Sequence, residues 1–177
     1  MFPLKLLQQA HTNLVSSAGR DVRPWSDGPL SGLAGTLSRL PGVEICHVEH
    51  GSVAESGRLT PPWILVSIEN PYIATLIGRS IQRPGTYAAT RLEWTIRHVG
   101  DIDHPWLERI KDLDHLEDWE EKLWWIHPLG EPGSEAGQRE WLEDAYQDYE
   151  SGEVLCAYIL LHLEGELARR RERRPRG

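Results

Sequence analysis

Residues 63–68 read WILVSI, a nearly continuous apolar run that lies between Pro62 and the Asn70-Pro71 pair. A run of this length and composition is typical of a strand that is covered on both faces. Two other segments have strand-like patterns. Alternation along Val43–Glu49 places Val43 and Ile45 on one face and Cys46 and Val48 on the other, with His47 turned away from Cys46, and residues 90–99 alternate apolar and polar side chains. Together they predict a small three-stranded sheet, antiparallel or mixed, over about 43–49, 63–68 and 90–99.

Helices are predicted before and between these strands. Apolar residues at spacings of three and four indicate one helix over about 3–17 and a second over about 30–40. Asn70 can cap a third helix with Pro71 at its first position, because asparagine accepts from free N–H groups and proline needs no donor there. The predicted buried stripe of this third helix is Ile73, Leu76, Ile77 and Ile81. The fold class is therefore predicted to be α+β, a sheet packed by helices.

The second half of the chain is predicted to be mostly helical. Asp103 can cap a helix whose apolar stripe runs to Leu123, and residues 123–126 either end that helix or form a short strand. A Gly/Pro-rich connector over 128–137 precedes a helix around Trp141 and a final helix over about 152–172. This final helix is apolar on most sides through Leu163, so it is expected to cross the core. We expect one domain over 1–177, with an α/β core portion (1–100), a helical portion (101–168) and an arginine-rich tail (169–177).

Negative charge is concentrated in this second half. Residues 101–153 hold 17 of the 27 acidic residues, only four cations, and five of the eight tryptophans. Carboxylates outside the apolar stripes predict an acidic helical surface that favours basic partners and repels bare nucleic acid. A purely solubilising face is the alternative. The predicted partner-binding residues are Asp112, Asp114, Glu117, Asp118, Glu120, Glu121, Glu140, Glu143 and Asp144.

This pattern favours a non-enzymatic protein that binds other proteins and needs no cofactor. Its acidic, tryptophan-containing helical face would dock on a basic partner, such as a nuclease, a toxin or another nucleic-acid-binding protein, and inhibit or regulate it. Carboxylates at regular intervals on a helix can imitate the phosphates that such a partner binds. Direct nucleic-acid binding is expected only through the arginines of the tail.

Two other function classes also fit the sequence. An assembly subunit of a viral particle or secretion machine would use the acidic face and the arginine tail in contacts between protomers. A metal-dependent hydrolase or nuclease would use His98, Asp101, Asp103 and His104, since imidazole and carboxylate groups can hold a divalent ion that activates water. A helix-capping loop beside a core histidine explains the same four residues without a metal.

Cys46, His47 and His50 form a C-H-x-x-H run, but a structural zinc site needs about four ligands and no second half of such a motif follows. With Cys46 and Cys156 far apart in sequence, a reducing compartment is the simpler expectation. No signal-peptide pattern is present, and the longest apolar stretch, 154–163, is too short to span a bilayer. We therefore expect the cytoplasm of a bacterium or of an infected host cell.

Overall fold

A computed structural model of the chain shows a mixed α+β fold. It describes residues 4–16, 27–81, 94–101, 122–130, 132, 134, 137–146 and 153–172. The helices in these residues are α1 (Leu4–Ser16), α2 (Ser31–Leu37), α3 (Pro71–Ile81), α4 (Gln138–Tyr146) and α5 (Glu153–Glu172). The strands are β1 (Val43–Glu49), β2 (Ser52–Val53), β3 (Leu59–Thr60), β4 (Trp63–Ile68), β5 (Trp94–His98) and β6 (Leu123–Pro128), and a 3₁₀ turn covers Val99–Asp101.

The main sheet has four strands in the order β1-β4-β6-β5, and every neighbouring pair is antiparallel. The prediction of three strands is therefore wrong in number, because β6 lies between β4 and β5. This strand comes from the portion predicted to be helical. The run LWWIHP is too short for its periodicity to distinguish a helix end from a strand, whereas its aromatic residues fit a sheet. A two-stranded hairpin of β2 and β3 lies in the connection between β1 and β4.

Both faces of the main sheet carry buried apolar side chains. Ile64 and Val66 of β4 face a large core that also contains buried residues of α1, α2, α3 and α5. On the opposite face, Trp63 and Leu65 join a smaller cluster with Val99, Leu123 and Trp125. All six residues of β4 are buried, which confirms that this strand is covered on both sides.

A β-bulge at Cys46 changes which residues of β1 share a face. The register with β4 shifts between Ile45 and His47, so that Val48 packs on the large core together with Ile45. Cys46 and His47 both lie on the side of the smaller cluster. The regular alternation expected from sequence placed Cys46 with Val48 and turned His47 away from Cys46; the extra residue of the bulge overturns both expectations.

The alternating pattern of β5 predicts one buried and one solvent-exposed face, and the structure confirms this prediction only in part. Trp94 is fully buried and Arg97 is exposed, as expected, but Thr95 is also buried. Thr95 pairs with His127 of β6, on the face that carries the smaller cluster. Residues 90–93 of the predicted strand lie outside the described residues.

The helices that the sequence predicted at either end of the chain are confirmed in α1, α2, α4 and α5. The cap of α3 is confirmed as well, since the backbone N–H of Tyr72 donates to Asn70 Oδ1 at 3.0 Å. One side of α5 packs in the large core through Ile159 and Leu163. Its Leu161 is 63% exposed, so α5 lies at the surface and does not cross the core as its composition had indicated.

The predicted acidic helix that Asp103 would cap falls on residues 102–121, outside the described residues, as do residues 173–177 of the predicted tail. Arg169 to Arg171 belong to the last turn of α5. Within the ranges that the structure describes, none of the helices combines the length and the apolar character that crossing a membrane requires.

Candidate functional site

Three of the nine predicted partner-binding carboxylates lie in the described residues, all on α4. Glu140 and Glu143 are exposed, and Asp144 is half-buried. The opposite side of α4 buries Trp141, Leu142 and Ala145 in the protein. The short helix thus presents carboxylates on one face and apolar side chains on the other, which is the arrangement its sequence predicted. The six carboxylates between Asp112 and Glu121 lie outside the described residues.

The helix α4 is attached to the turn after β1. Tyr146, in its last turn, donates a hydrogen bond from its hydroxyl to the backbone carbonyl of His50. Burial, together with the nearby carboxylate of Glu49, raises the pKa of Tyr146 to about 12. The hydroxyl therefore keeps its proton, and its donor role, throughout the neutral range. This bond fixes the end of the helix that carries Glu140 and Glu143.

His50 has a structural role in the same region. Its Nδ1 accepts a hydrogen bond from the backbone N–H of Leu30 at 3.3 Å, just before α2 begins. Burial lowers the pKa of His50, Glu49 opposes this effect, and His47 adds to it. Because Nδ1 faces Leu30 while Cys46 and His47 lie on the sheet face, the C-H-x-x-H run does not converge on one point.

Cys46 is unsuited to nucleophilic catalysis. The pKa of its thiol is raised to about 11, mainly by burial; a backbone hydrogen bond at Ser67 opposes this rise and the charge of Glu44 adds to it. The reactive form of cysteine is the thiolate, and at neutral pH this thiol stays protonated. Its Sγ lies 3.9 Å from the carbonyl oxygen of Glu44, a long contact in which the thiol donates weakly.

His98 ends β5 on the side of the large core. Its ring meets Trp124 edge-on, with the ring centroids 5.1 Å apart, and its Nδ1 accepts the N–H of Gly100 at 3.2 Å. Asp101 closes the 3₁₀ turn, while Asp103 and His104 lie outside the described residues. In the part of the chain that the structure describes, no three histidine, cysteine or acidic side chains lie close enough together to hold a metal ion.

Two stacked histidine–tryptophan pairs on one sheet face were not predicted from sequence. His47 of β1 stacks on Trp63 of β4, with ring centroids 4.8 Å apart. His127 stacks on Trp125, two residues earlier in β6, with centroids 3.8 Å apart. Only the second pair has a sequence signal, since residues i and i+2 of a strand share a face. The first depends on the β1–β4 register, which is not readable from either strand alone.

The tryptophans of the acidic region divide into two groups. Trp124 and Trp125 lie on opposite faces of β6, and Trp141 lies on the buried face of α4. These three side chains stabilise the fold and are not exposed anchors for a partner. Trp106 and Trp119 lie outside the described residues.

No family model matches this chain, and comparisons with curated proteins and with solved structures gave no significant match.

Proposed function

We propose that this protein is a non-enzymatic, cytoplasmic binding protein that docks on a basic partner through its acidic region and inhibits or regulates that partner. The partner class is a basic protein that itself binds nucleic acid, such as a nuclease or toxin. The observation that carries the proposal is the outward position of Glu140 and Glu143 on a helix whose other face is buried.

The charge distribution along the chain supports the same proposal. The segment that supplies α4 also contains 17 acids in 53 residues, whereas the rest of the chain has more bases than acids. A local excess of one sign raises the association rate with an oppositely charged surface, and it does so more strongly at low ionic strength. A solubilising role alone requires no such concentration in one segment.

The geometry of α4 suits a partner that binds phosphates. Glu140 and Glu143 are three residues apart, which places their Cβ atoms about 5–6 Å apart on one side of a helix. Closely spaced anionic groups on a fixed backbone can occupy a groove of Lys and Arg side chains.

The test compares two charge-matched double variants of the full chain. Glu140→Gln with Glu143→Gln removes two carboxylates from α4, and Glu55→Gln with Glu69→Gln removes two exposed carboxylates outside the acidic region. Each chain is used as bait at low salt, and the eluted partner is then titrated against each bait. We expect the α4 variant to bind between about twofold and thirtyfold more weakly than the wild type, since exposed charge pairs contribute about 0.2–1 kcal/mol each.

The control variant should bind like the wild type, and duplex DNA should compete with the bait for the captured partner. Equal binding by both variants and the wild type would remove α4 from the proposal. A partner whose binding does not weaken with added salt would contradict the electrostatic mechanism as a whole.

A further inference from the structure

The smaller cluster on the second face of the main sheet is buried, although none of the described helices contributes a residue to it. Leu65 is fully buried, and Trp63 and Trp125 are 8% and 9% exposed. The buried members of this cluster come from β4, from β6 and from the 3₁₀ turn. By contrast, all five described helices contribute buried residues to the large core on the other face.

The burial of this face extends to polar residues. Ser67 of β4 and Thr95 of β5 point to the same side as the smaller cluster and are also buried. An antiparallel sheet with one face in water carries such residues in contact with solvent. Four strands form a face about 15–20 Å wide, and its own side chains cannot hide a surface of that size. A second layer of atoms therefore covers it.

The ends of the longer internal segments outside the described residues show which of them can supply this layer. The segment 102–121 lies between Val99 and Leu123, which both belong to the smaller cluster. The nearest described buried residues on either side of 82–93 are Ile81 and Trp94, and both belong to the large core. The large core likewise flanks the two remaining segments, 17–26 and 147–152. The two chain ends adjoin α1 and α5, which pack in that core as well.

The composition of 102–121 fits an apolar face. Seven of its 20 residues are large and apolar, whereas each of the other three segments contains one or two large apolar or aromatic residues. The seven are Ile102, Trp106, Leu107, Ile110, Leu113, Leu116 and Trp119. Twenty residues span about 30 Å as a helix and more when extended, so the segment is long enough to cross the whole face in either conformation.

We infer that the segment 102–121 covers the second face of the main sheet, with its apolar side chains on the smaller cluster. The sheet then lies between two layers, the helices of the large core on one side and this segment on the other. Carboxylates are costly to bury without a partner, so those of the segment stay on its outer side. The predicted acidic surface is thereby assigned to the side of the sheet opposite the large core. This packing within the chain does not depend on the proposed partner binding.

The two free cysteines provide a separate probe for each face of the sheet. Cys46 packs against the smaller cluster, and Cys156 packs against the large core. In a Cys156→Ala chain a chromogenic disulfide reagent reports on Cys46 alone, and in a Cys46→Ala chain it reports on Cys156 alone. The reaction rates without denaturant measure how readily each side of the sheet becomes accessible.

Leu113→Asn with Leu116→Asn should make Cys46 react at least about tenfold faster, because the segment loses apolar contacts with the face that contains this thiol. The rate at Cys156 should stay close to that of the wild type, since the large core keeps its own helices. An unchanged rate at Cys46 would overturn the inference, and so would an equal acceleration at both cysteines.

Asp114→Asn with Asp118→Asn is the matched control, because it introduces the same residue type into the same segment at polar positions. Both cysteine rates should be unchanged in this variant, and acceleration equal to that of the leucine variant would contradict an apolar contact. Glu140→Gln with Glu143→Gln should also leave the Cys46 rate unchanged. Failure of this packing and failure of partner binding through α4 are therefore separate results.

A double-mutant cycle tests which face of the sheet the segment contacts. Leu65 and Ile64 are consecutive, fully buried residues of β4 that belong to the smaller cluster and the large core, respectively. Leu65→Ala should shift the urea midpoint less in the Leu113→Asn, Leu116→Asn background than in the wild type, because its contacts are already weakened there. Ile64→Ala should cause the same shift in both backgrounds. Equal shifts for Leu65→Ala in the two backgrounds would contradict the contact.

Discussion

At the scale of single residues, His50 connects three separate parts of the chain. Its ring accepts the N–H of Leu30 before α2, and its carbonyl accepts the hydroxyl of Tyr146 at the end of α4. Gly28 lies directly against the ring, where a Cβ atom would come within 2.5 Å of Nδ1. His50 therefore links the start of α2 to the end of α4, through its ring on one side and its backbone carbonyl on the other.

Gly28→Ala should destabilise the protein by about 1–3 kcal/mol, because the added methyl group displaces a ring that is held by the N–H of Leu30. Gly35→Ala is the matched control: Gly35 lies inside α2 with no atom near its Cβ position, so alanine should stabilise the helix by about 0.5–1 kcal/mol. Urea denaturation of both variants measures the two free energies. Equal effects of the same sign would show that the ring is not held in place.

His50 should also make stability depend on pH. Its pKa in the folded protein is below its ordinary value of 6.5, so the unfolded chain binds the proton more readily. The stabilisation is complete above pH 6.5 and is lost as pH falls through the folded pKa. Melting temperatures between about pH 7 and pH 5 should fall less in His50→Asn, where an amide oxygen can accept from Leu30 and does not titrate. Parallel curves for the two proteins would exclude this role.

At the scale of elements, α3 shows how a helix start can be predicted from two residues. Asn70 precedes Pro71 in sequence, and its Oδ1 accepts the N–H of Tyr72 as the pattern predicts. Asn70→Ala should lower the free energy of unfolding by about 1 kcal/mol, because this donor loses its partner. Asn70→Asp keeps an acceptor at the same position and should cost much less. Chemical denaturation of both variants measures the difference, and an equal loss would assign the effect to something other than the cap.

The strands show where prediction from sequence stops. β4 was predictable because it is buried on both faces and is bounded by proline and asparagine. β6 was not assigned as a strand, because six residues do not establish a period and a helical stripe precedes them in sequence. The bulge at Cys46 was also not predictable, since it is a property of the pairing between β1 and β4.

At the scale of the whole molecule, the α+β class could be predicted from the order of the helices and strands. The number of strands in the main sheet could not be predicted in this way. The same difference applies to the candidate site. The outward carboxylates of α4 were predictable because helical period and composition are local properties. The stacked pair of His47 and Trp63 was not, because it depends on which strands become neighbours. A cleft that lies between α1 and α5 was also not predictable, because its two walls are about 150 residues apart in sequence.

The pairing of β5 with β6 has a consequence for how the chain can be rearranged. His98 and Trp124 are directly opposed in the ladder, so the segment from 102 to 121 begins and ends beside two hydrogen-bonded neighbours. It is topologically the loop of a hairpin, and two to five residues suffice to close such a connection. Both ends of the segment with the densest negative charge are thus fixed to the same ladder, and a turn of two to five residues would span the distance between them.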